Sequence, residues 1–579
     1  MNIINNLKTA VLVAVCALCC AQASAQPSNK PHLKNNGNAT QLVVDGKPML
    51  LLCGELGNSS SSSISYAAES LAKCKQLGLN SAIVSISWEQ FEPQEGKYDY
   101  SLIDGLIKEA EKNNLKLVVI WFASYKNGLS SFAPAWVRRD QQRFPRMIGP
   151  SIEGLTGGAD QASYYKNILS PFFEASWKAD AKAFAQLMKH IKETDTHHTV
   201  VMMQVENEAG AYGVDIDRQP IARKLFNSAV PQELLKYLHT HEADLTPAMA
   251  KAWKARQTKA GANWKETFGT VAIDAFMAWH FARYLEQVTA AGKKAYDIPM
   301  YYNAWLKQPK HEGMPGRYPS GGPIHSMLDI YRAASPSIDL LCPDIYHPEF
   351  KRYCIAYAHK GNTLFIPECR PGEDMAAKAT WVVGERAGIG FAPFGVERIQ
   401  EGTSLTECYR VLSQLMPYVT AAQGTKKIRT VFKQVIPKIK GVNVGEWDFD
   451  AGELEKEDAG SIKVSMGDWV FDVSYTNQLK GEAAFAMFIQ LSDDEFIVTG
   501  RNVRMNFECK DNAKTAELID AEQGEFEGGK WTVRRRLNGD ETAHGMAVSF
   551  PTSIDVFRPD TQQDIVKLKL YSYKRVAQP

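Results

Sequence analysis

Eight short apolar runs recur along the first two thirds of this 579-residue chain, and helical periodicity follows them. The runs lie at residues 49–56, 81–91, 116–124, 200–208, 298–305, 339–346, 364–370 and 389–396. Amphipathic segments such as 67–77 and 101–113 lie between the first runs and carry apolar residues at helical spacing. Strands that alternate with helices form parallel sheets, because each helix returns the chain to the same edge. Eight such units predict an α/β fold, a (β/α)8 TIM barrel.

Two regions do not follow the strand–helix repeat. Residues 209–270 are longer than one helical crossover requires, so they predict a helical insertion after strand 4, over the mouth of the barrel. From about residue 429 onward, alternating segments separated by Gly, Asn and Asp predict a C-terminal antiparallel β-sandwich domain.

The N-terminus has the features of a secretory signal peptide. Lys8 supplies a positive charge, a short apolar stretch follows, and a small-residue cleavage site, A-S-A, ends at Ala25. We expect secretion across the inner membrane, to the periplasm or the cell surface. Cys19 or Cys20 could instead mark a lipoprotein, although the preceding residues match that signal poorly. The predicted divisions are a signal peptide at 1–25, a polar lead-in and the catalytic barrel at 26–428, and the sandwich at 429–579.

Charge and residue spacing restrict the partners of this protein. Lys and Arg total 66 and Asp and Glu total 65, so neither nucleic acid nor an anionic membrane is an expected partner. After the predicted signal peptide, no apolar stretch is long enough to predict a transmembrane helix. The histidines show no metal-ligand spacing, so we predict neither a metal nor a cofactor. The sequence leaves the oligomeric state open.

Polar and aromatic residues stand at the C-terminal ends of nearly all the predicted strands. In TIM barrels these ends meet at one face and carry the functional side chains. One such residue could simply cap a helix or fill the rim, but repetition at nearly every strand favours a site. The candidates are Glu55, Trp88, Trp121, Asn207, Glu208, Asn303, Trp305, Tyr346 and Glu368.

The fourth run, V-V-M-M-Q-V-E-N-E, is a predicted buried strand with two carboxylates at its tip. A buried carboxylate is costly unless it is paired, so each Glu requires a cation, solvent or a function. For Glu206 these interpretations stay open. For Glu208 we favour function, because an adjacent Asn and Glu can hydrogen-bond a sugar hydroxyl and protonate the neighbouring glycosidic oxygen. Strict alternation would send Asn207 and Glu208 to opposite faces, so the strand end must bend, which Gly210 permits.

Glycoside hydrolysis ordinarily needs a second carboxylate on the other side of the scissile bond. The seventh run, L-F-I-P-E-C-R, supplies Glu368, for which an ion pair with Arg370 is the structural alternative. Strands four and seven face each other across a ring of eight, so Glu208 and Glu368 are expected on opposite walls of one pocket. Carboxyl groups this close should titrate jointly, with one apparent pKa raised.

With these motifs, the barrel resembles glycoside hydrolase family 35, the β-galactosidases of clan A. The matching motifs are S-W-E-Q-F-E-P-Q-E-G-K-Y-D-Y at 87–100, Q-V-E-N-E at 204–208 and I-P-E at 366–368. The resemblance implies Glu208 as general acid/base, Glu368 as nucleophile and Asn207 as a ligand of the sugar 2-hydroxyl. It implies a retaining, exo-acting β-galactosidase whose substrate is a β-galactoside-containing oligosaccharide or polysaccharide.

Two segments depart from the better-known members of that family. Ala209 follows the acid/base where those members have Tyr, and Lys126 and Asn127 occupy a loop where they have an acidic residue. Lys126 and Asn127 are therefore further candidates for substrate binding, and galactose is less firmly implied than the catalytic pair. The alternatives are a clan A glycosidase on another β-linked sugar, or a carbohydrate-binding protein without turnover.

Overall fold

The computed structural model describes residues 30–149, 164–255, 262–359, 361–436, 456–476, 484–552 and 563–574. The predicted signal peptide lies outside these residues. Among the helices that the structure describes, none is both long and apolar enough to cross a membrane.

Eight parallel strands close into a barrel. They are Leu51–Leu52, Ser81–Ser87, Lys116–Lys126, Val200–Asn207, Met300–Trp305, Leu340–Ile345, the interrupted strand Phe365–Ile366 and Glu368–Cys369, and Gly390–Phe391. Each pairs in parallel with its neighbours, and the last pairs with the first. Glu55, just past the first strand, bridges to Ile83 in the second and completes the ring. The predicted (β/α)8 barrel is confirmed.

A helix of 7 to 24 residues connects each barrel strand to the next part of the chain. These helices are Ile64–Gln76, Ser101–Lys112, Glu174–Thr194, Ala272–Ala295, Leu328–Ala334, Phe350–Tyr357, Met375–Gly384 and Ser404–Ala422. The insertion after strand four contains Pro220–Phe226, Gln232–Thr240, Pro247–Lys254 and Trp264–Phe268, as predicted. The loops after strands two and three add the short helices Trp88–Phe91 and Ala135–Arg139 and the paired strands Arg146–Gly149 and Tyr164–Leu169.

Strand alternation divides the apolar residues into two layers. In the third strand Ile120 and Phe122 point into the barrel interior, whereas Val119 and Trp121 face the surrounding helices. The polar lead-in predicted at residues 26–40 is extended where the structure describes it. Its strand His32–Asn36 pairs with Ala39–Val44, which pairs with Lys47–Met49 in a three-stranded antiparallel sheet. Leu42 of this sheet joins the interior cluster, so the sheet packs at the N-terminal end of the barrel, opposite the strand ends that carry candidate residues.

The C-terminal domain is the predicted antiparallel β-sandwich. One sheet contains Ile428–Phe432, Phe485–Gln490, Glu495–Arg501, Asp564–Lys574, Lys514–Glu527 and Lys530–Arg536, and the other contains Ser461–Met466, Trp469–Tyr475, Val503–Cys509 and Ala547–Ser549. The central strands of the first sheet are apolar on both faces, because one face packs on the second sheet and the other on barrel helices. At this junction a Cβ on Gly384 would lie 2.0 Å from the Thr430 hydroxyl, so close packing requires glycine.

Candidate active site

A cavity of about 550 Å³ opens at the C-terminal ends of the barrel strands. Its wall is formed by Asn58, Lys126, Asn127, Leu129, Ser130, Phe132, Glu208, Trp305, Tyr346, Glu368 and Phe394. The Trp305 ring stacks on Tyr212 from the start of the insertion, with centroids 4.8 Å apart. The mixture of aromatic faces and hydrogen-bonding groups is typical of a site for a small polar ligand.

Glu208 and Glu368, 160 positions apart in the chain, meet in this cavity. Carboxylate oxygens of Glu208, Asp344 and Glu368 all lie within 4.8 Å of one another. Glu208 and Glu368 are only 3% and 8% exposed. The Tyr346 hydroxyl donates a hydrogen bond to Glu368 Oε1. The sequence thus identified two carboxyl groups that the fold places side by side, on strands four and seven.

The end of strand four bends so that consecutive residues reach one site. Glu206 has φ of 62° and Glu208 has φ of 47°, in the left-handed region that non-glycine residues rarely adopt. These two positions break the strand alternation, so the side chains of Asn207 and Glu208 can reach the same site although they are consecutive. Gly210, two residues after Glu208, has φ of 134°. Backbone strain of about 1–3 kcal/mol per residue is typical of functional sites.

An amide network holds Asn207 and the main chain of Glu208. The Glu208 N–H donates to Asn303 Oδ1 at 2.8 Å, which directs the Asn303 amino group toward Asn207 Oδ1 at 3.2 Å. Gln204 Nε2 donates to the same Asn207 oxygen at 2.9 Å. Asn207 Nδ2 is buried and has no partner in the described structure, so this donor is available to a ligand hydroxyl.

The electrostatics distinguish the two carboxyl groups. Burial, together with the neighbouring Glu368 carboxylate, raises the pKa of Glu208 to about 8. Burial also raises the pKa of Glu368, but the Lys126 ammonium and the Tyr346 hydroxyl oppose that rise. Glu368 therefore ionises first, and Glu208 holds a proton near neutral pH. One group suits nucleophilic attack and the other suits proton donation.

Glu206 has a structural role that the sequence left open. Its carboxyl group accepts main-chain N–H groups of Ala123, Ser124 and Tyr125 at 3.3, 3.0 and 2.8 Å. Burial and the Asp180 carboxylate raise the pKa of Glu206 well above the ordinary range. Glu206 fastens the end of strand three to the end of strand four.

We expect Glu206→Ala to unfold more easily than the wild type because three buried N–H groups lose their acceptor. Each unsatisfied buried group costs about 1–3 kcal/mol, which predicts a loss of at least about 3 kcal/mol in the free energy of unfolding. Glu206→Gln keeps one carbonyl oxygen and should lose less. Urea unfolding of both variants checks this, with exposed Glu401→Gln as the control. Wild-type stability in Glu206→Ala would contradict the assignment.

Two predicted ligand-binding residues need correction, Trp88 and Trp121. Both indoles are fully buried and neither borders the cavity. Trp88 donates to Glu92 at 2.8 Å, and Trp121 donates to Asp180 at 2.8 Å. Trp121 lies within strand three, and alternation turns its indole toward the helices, on the face opposite Ile120 and Phe122.

The remaining predicted residues lie at or beneath the cavity. Lys126, Asn127, Trp305 and Tyr346 line it, while Asn207 and Asn303 form the buried network behind Glu208. Glu55 is also buried, and Glu368 is the carboxylate that most strongly raises its pKa after burial itself. Sequence reasoning missed Asp344 as a site residue, although it is a polar residue at the end of strand six. The carboxylates of Glu208, Asp344 and Glu368 are close enough to ligate a cation, but the neighbouring Lys126 ammonium opposes one.

Two family models match the chain. Residues 61–255 match the model of glycoside hydrolase family 42, which is described as beta-galactosidase. Residues 405–549 match the model of a domain of unknown function, DUF5597. A curated β-galactosidase from Xanthomonas manihotis is 28% identical over 218 residues, which span 36% of this chain and 31% of that relative. The chain is similar to β-galactosidases. The matching model is that of family 42, so the expected membership of family 35 is not supported.

The family 42 match includes Asn207 and Glu208, whereas Glu368 lies beyond it. The chain matches about a third of the length of its curated relative. Solved structures that match part of the chain include β-galactosidases from the psychrophilic Marinomonas ef1 and from Bacillus circulans sp. alkalophilus. The first is 11% identical with a TM-score of 0.40, over 64% of this chain and 60% of that chain. The second is 15% identical with a TM-score of 0.40, over 63% and 56%.

Proposed function

We propose that the protein is a secreted, retaining β-galactosidase that removes terminal β-galactosyl residues from oligosaccharides or polysaccharides. The observation that carries the proposal is the approach of Glu208 and Glu368 oxygens to within 4.8 Å in an open cavity. Retaining glycosidases hold their carboxyl groups about 5–5.5 Å apart, whereas inverting enzymes leave room for a water between them. The similarity to β-galactosidases supports the sugar.

The mechanism assigns one role to each carboxyl group. Glu368, oriented by the Tyr346 hydroxyl, attacks the anomeric carbon while Glu208 protonates the departing oxygen. The glycosyl–enzyme ester is then attacked by water, whose proton returns to Glu208, and the Glu368 carboxylate is released. The free Nδ2 donor of Asn207 binds the hydroxyl next to the anomeric carbon. The neutral form of Glu208 persists up to about pH 8, so activity should fall above that pH.

Location and cleavage pattern belong to the same proposal. The N-terminal segment ending at Ala25 supports export to the periplasm or the cell surface.

Exo action is tested with β-galactan oligomers of defined length, from which we expect galactose as the first product. Larger oligomers as first products would indicate internal cleavage.

A panel of aryl β-glycosides tests the activity directly. We expect cleavage of the β-galactoside with kcat/KM at least about tenfold above those of the glucoside, mannoside and xyloside. Proton NMR should show β-galactose as the first anomer released. α-Galactose as the first anomer would contradict the retaining mechanism, and no turnover of any sugar would contradict the enzyme assignment.

One observation favours a different sugar as the second candidate. Lys126 places an ammonium group in the cavity loop where the sequence resemblance led us to expect an acidic side chain. A cation at this position changes which sugar hydroxyls are recognised. Faster cleavage of another β-glycoside in the same panel would support a clan A glycosidase with that specificity.

A further inference from the structure

Asp344 is a third carboxyl group in a site that needs two. It lies at the end of the sixth barrel strand, Leu340–Ile345, and is 1% exposed. One of its oxygens lies within 4.8 Å of those of both Glu208 and Glu368. The double displacement assigned above gives this group no task, and a carboxylate is costly to bury without one.

Hydrogen bonds occupy one Asp344 oxygen and leave the other available. Asn303 accepts the Glu208 N–H with its carbonyl oxygen, so its amino group points the other way and donates to Asp344 Oδ2 at 2.6 Å. Oδ1 of Asp344 is buried and receives no donor in the described structure. A carboxyl oxygen of Glu208 lies within 4.8 Å of one of Asp344. Two ionised carboxylates cannot form a hydrogen bond, but a proton between them makes one.

Carboxyl groups buried together are costly to ionise all at once, so some of those in the cavity keep a proton. Glu55, Glu208, Asp344 and Glu368 are four buried carboxyl groups, and the Lys126 ammonium acts on three of them. Lys126 favours the ionised forms of Glu55, Glu208 and Glu368, whereas the groups that act most strongly on Asp344 are carboxylates. Asp344 is therefore the group with most reason to stay neutral.

We propose that Asp344 is a positioning residue that works as a neutral carboxylic acid and donates a hydrogen bond from Oδ1 to the carboxylate of Glu208. The inference rests on the proposed function. When Glu208 has given its proton to the departing oxygen, Asp344 keeps its own proton and holds the new carboxylate in place. Glu208 then accepts a proton from the attacking water. Asn303 donates to Asp344 Oδ2, and Glu208 accepts the hydrogen bond from the proton on Oδ1.

The electrostatic surroundings agree with this assignment. Burial and then the Glu368 and Glu208 carboxylates raise the pKa of Asp344 well above its ordinary value. Glu55 acts in the same direction. The other titratable groups facing Asp344 are Cys342, Tyr301 and Tyr357, whose own pKa values burial raises, so they are neutral near pH 7.

Two variants test the proposal through activity. Asp344→Asn retains an oxygen for Asn303 and an N–H donor for Glu208, whereas Asp344→Ala removes both. We expect kcat/KM of the Asn variant to be at least about tenfold above that of the Ala variant. The basic limb of the pH profile should stay within about half a pH unit of the wild type in Asp344→Asn, and move upward in Asp344→Ala because a donor to the Glu208 carboxylate is lost.

An ionised Asp344 predicts the opposite pattern. The Asn variant would then lose a negative charge beside Glu208, so the basic limb would move downward, and the variant would be as inactive as Asp344→Ala. Either result overturns the proposal. Circular dichroism melts of both variants establish that they are folded before activities are compared.

Infrared spectroscopy tests the protonation without relying on turnover. In a Glu208→Gln background near pH 7, a carboxylic acid C=O band should disappear when Asp344 is replaced by Asn. Persistence of the full band would refute the neutral assignment. Failure of the wild type to cleave any aryl glycoside would reject the proposed function alone, because the infrared result stands independently of it.

Discussion

Replacement of Glu368 by Gln should lower kcat for aryl β-galactosides by about 10⁴-fold or more, while the protein stays folded. The amide cannot form the glycosyl–enzyme ester, but its oxygen still accepts the Tyr346 hydrogen bond. A 10⁴-fold loss corresponds to about 5.5 kcal/mol of transition-state stabilisation. Steady-state kinetics with an aryl β-galactoside measures this effect.

The matched control for that variant is Glu401→Gln, which removes an exposed carboxylate paired with Lys73. We expect its kcat to remain within about twofold of the wild type, since exposed ion pairs contribute little. A Glu368→Gln enzyme with more than about a hundredth of wild-type activity would show that another group is the nucleophile.

The second large effect is expected for Glu208→Ala, and it should depend on the leaving group. Unactivated alkyl or sugar aglycones need the acid, so their kcat/KM should fall by about 10²–10⁴-fold. Aryl galactosides with strongly acidic phenols leave without protonation, so their first step should be affected much less. Azide should raise turnover of these substrates, because a small anion can replace water without a general base.

The pH profile supplies an independent readout for Glu208→Ala. The wild type should lose activity as pH rises through about 8, where the neutral form of Glu208 is titrated. This basic limb should be missing in the variant. Equal losses for good and poor leaving groups, or an unchanged basic limb, would contradict the assignment of Glu208 as the proton donor.

The barrel was predictable from sequence because a parallel strand between two layers needs a nearly continuous apolar run. All eight predicted runs coincide with a barrel strand, although the third strand continues two residues beyond its run, and the pairing of the last strand with the first places strands four and seven across the ring. Glu208 and Glu368 followed from that geometry together with their positions at strand ends. Local sequence and topology were sufficient for this pair.

The direction of each side chain was harder to predict, since it depends on how far the strand alternation continues before the chain bends. Trp121 was assigned to the site, but it lies within strand three, where alternation turns its indole toward Asp180. The bend that unites Asn207 with Glu208 relies on positive φ at two glutamates, residues in which sequence gives no sign of that conformation. Asp344 was missed because only the folded structure shows that it lies close to Glu208 and Glu368, which are 136 and 24 positions away in the chain.

The hydrogen bonds of Glu206 have a consequence for protein engineering. They join the main chain of residues 123–125, which leads into the loop of Lys126 and Asn127, to the segment that presents Glu208. Libraries that vary this loop to alter sugar preference would therefore also disturb the proton donor. Designers seeking a new specificity at wild-type turnover should leave positions 123–125 fixed and diversify other residues of the cavity wall, such as Trp305 or Phe394.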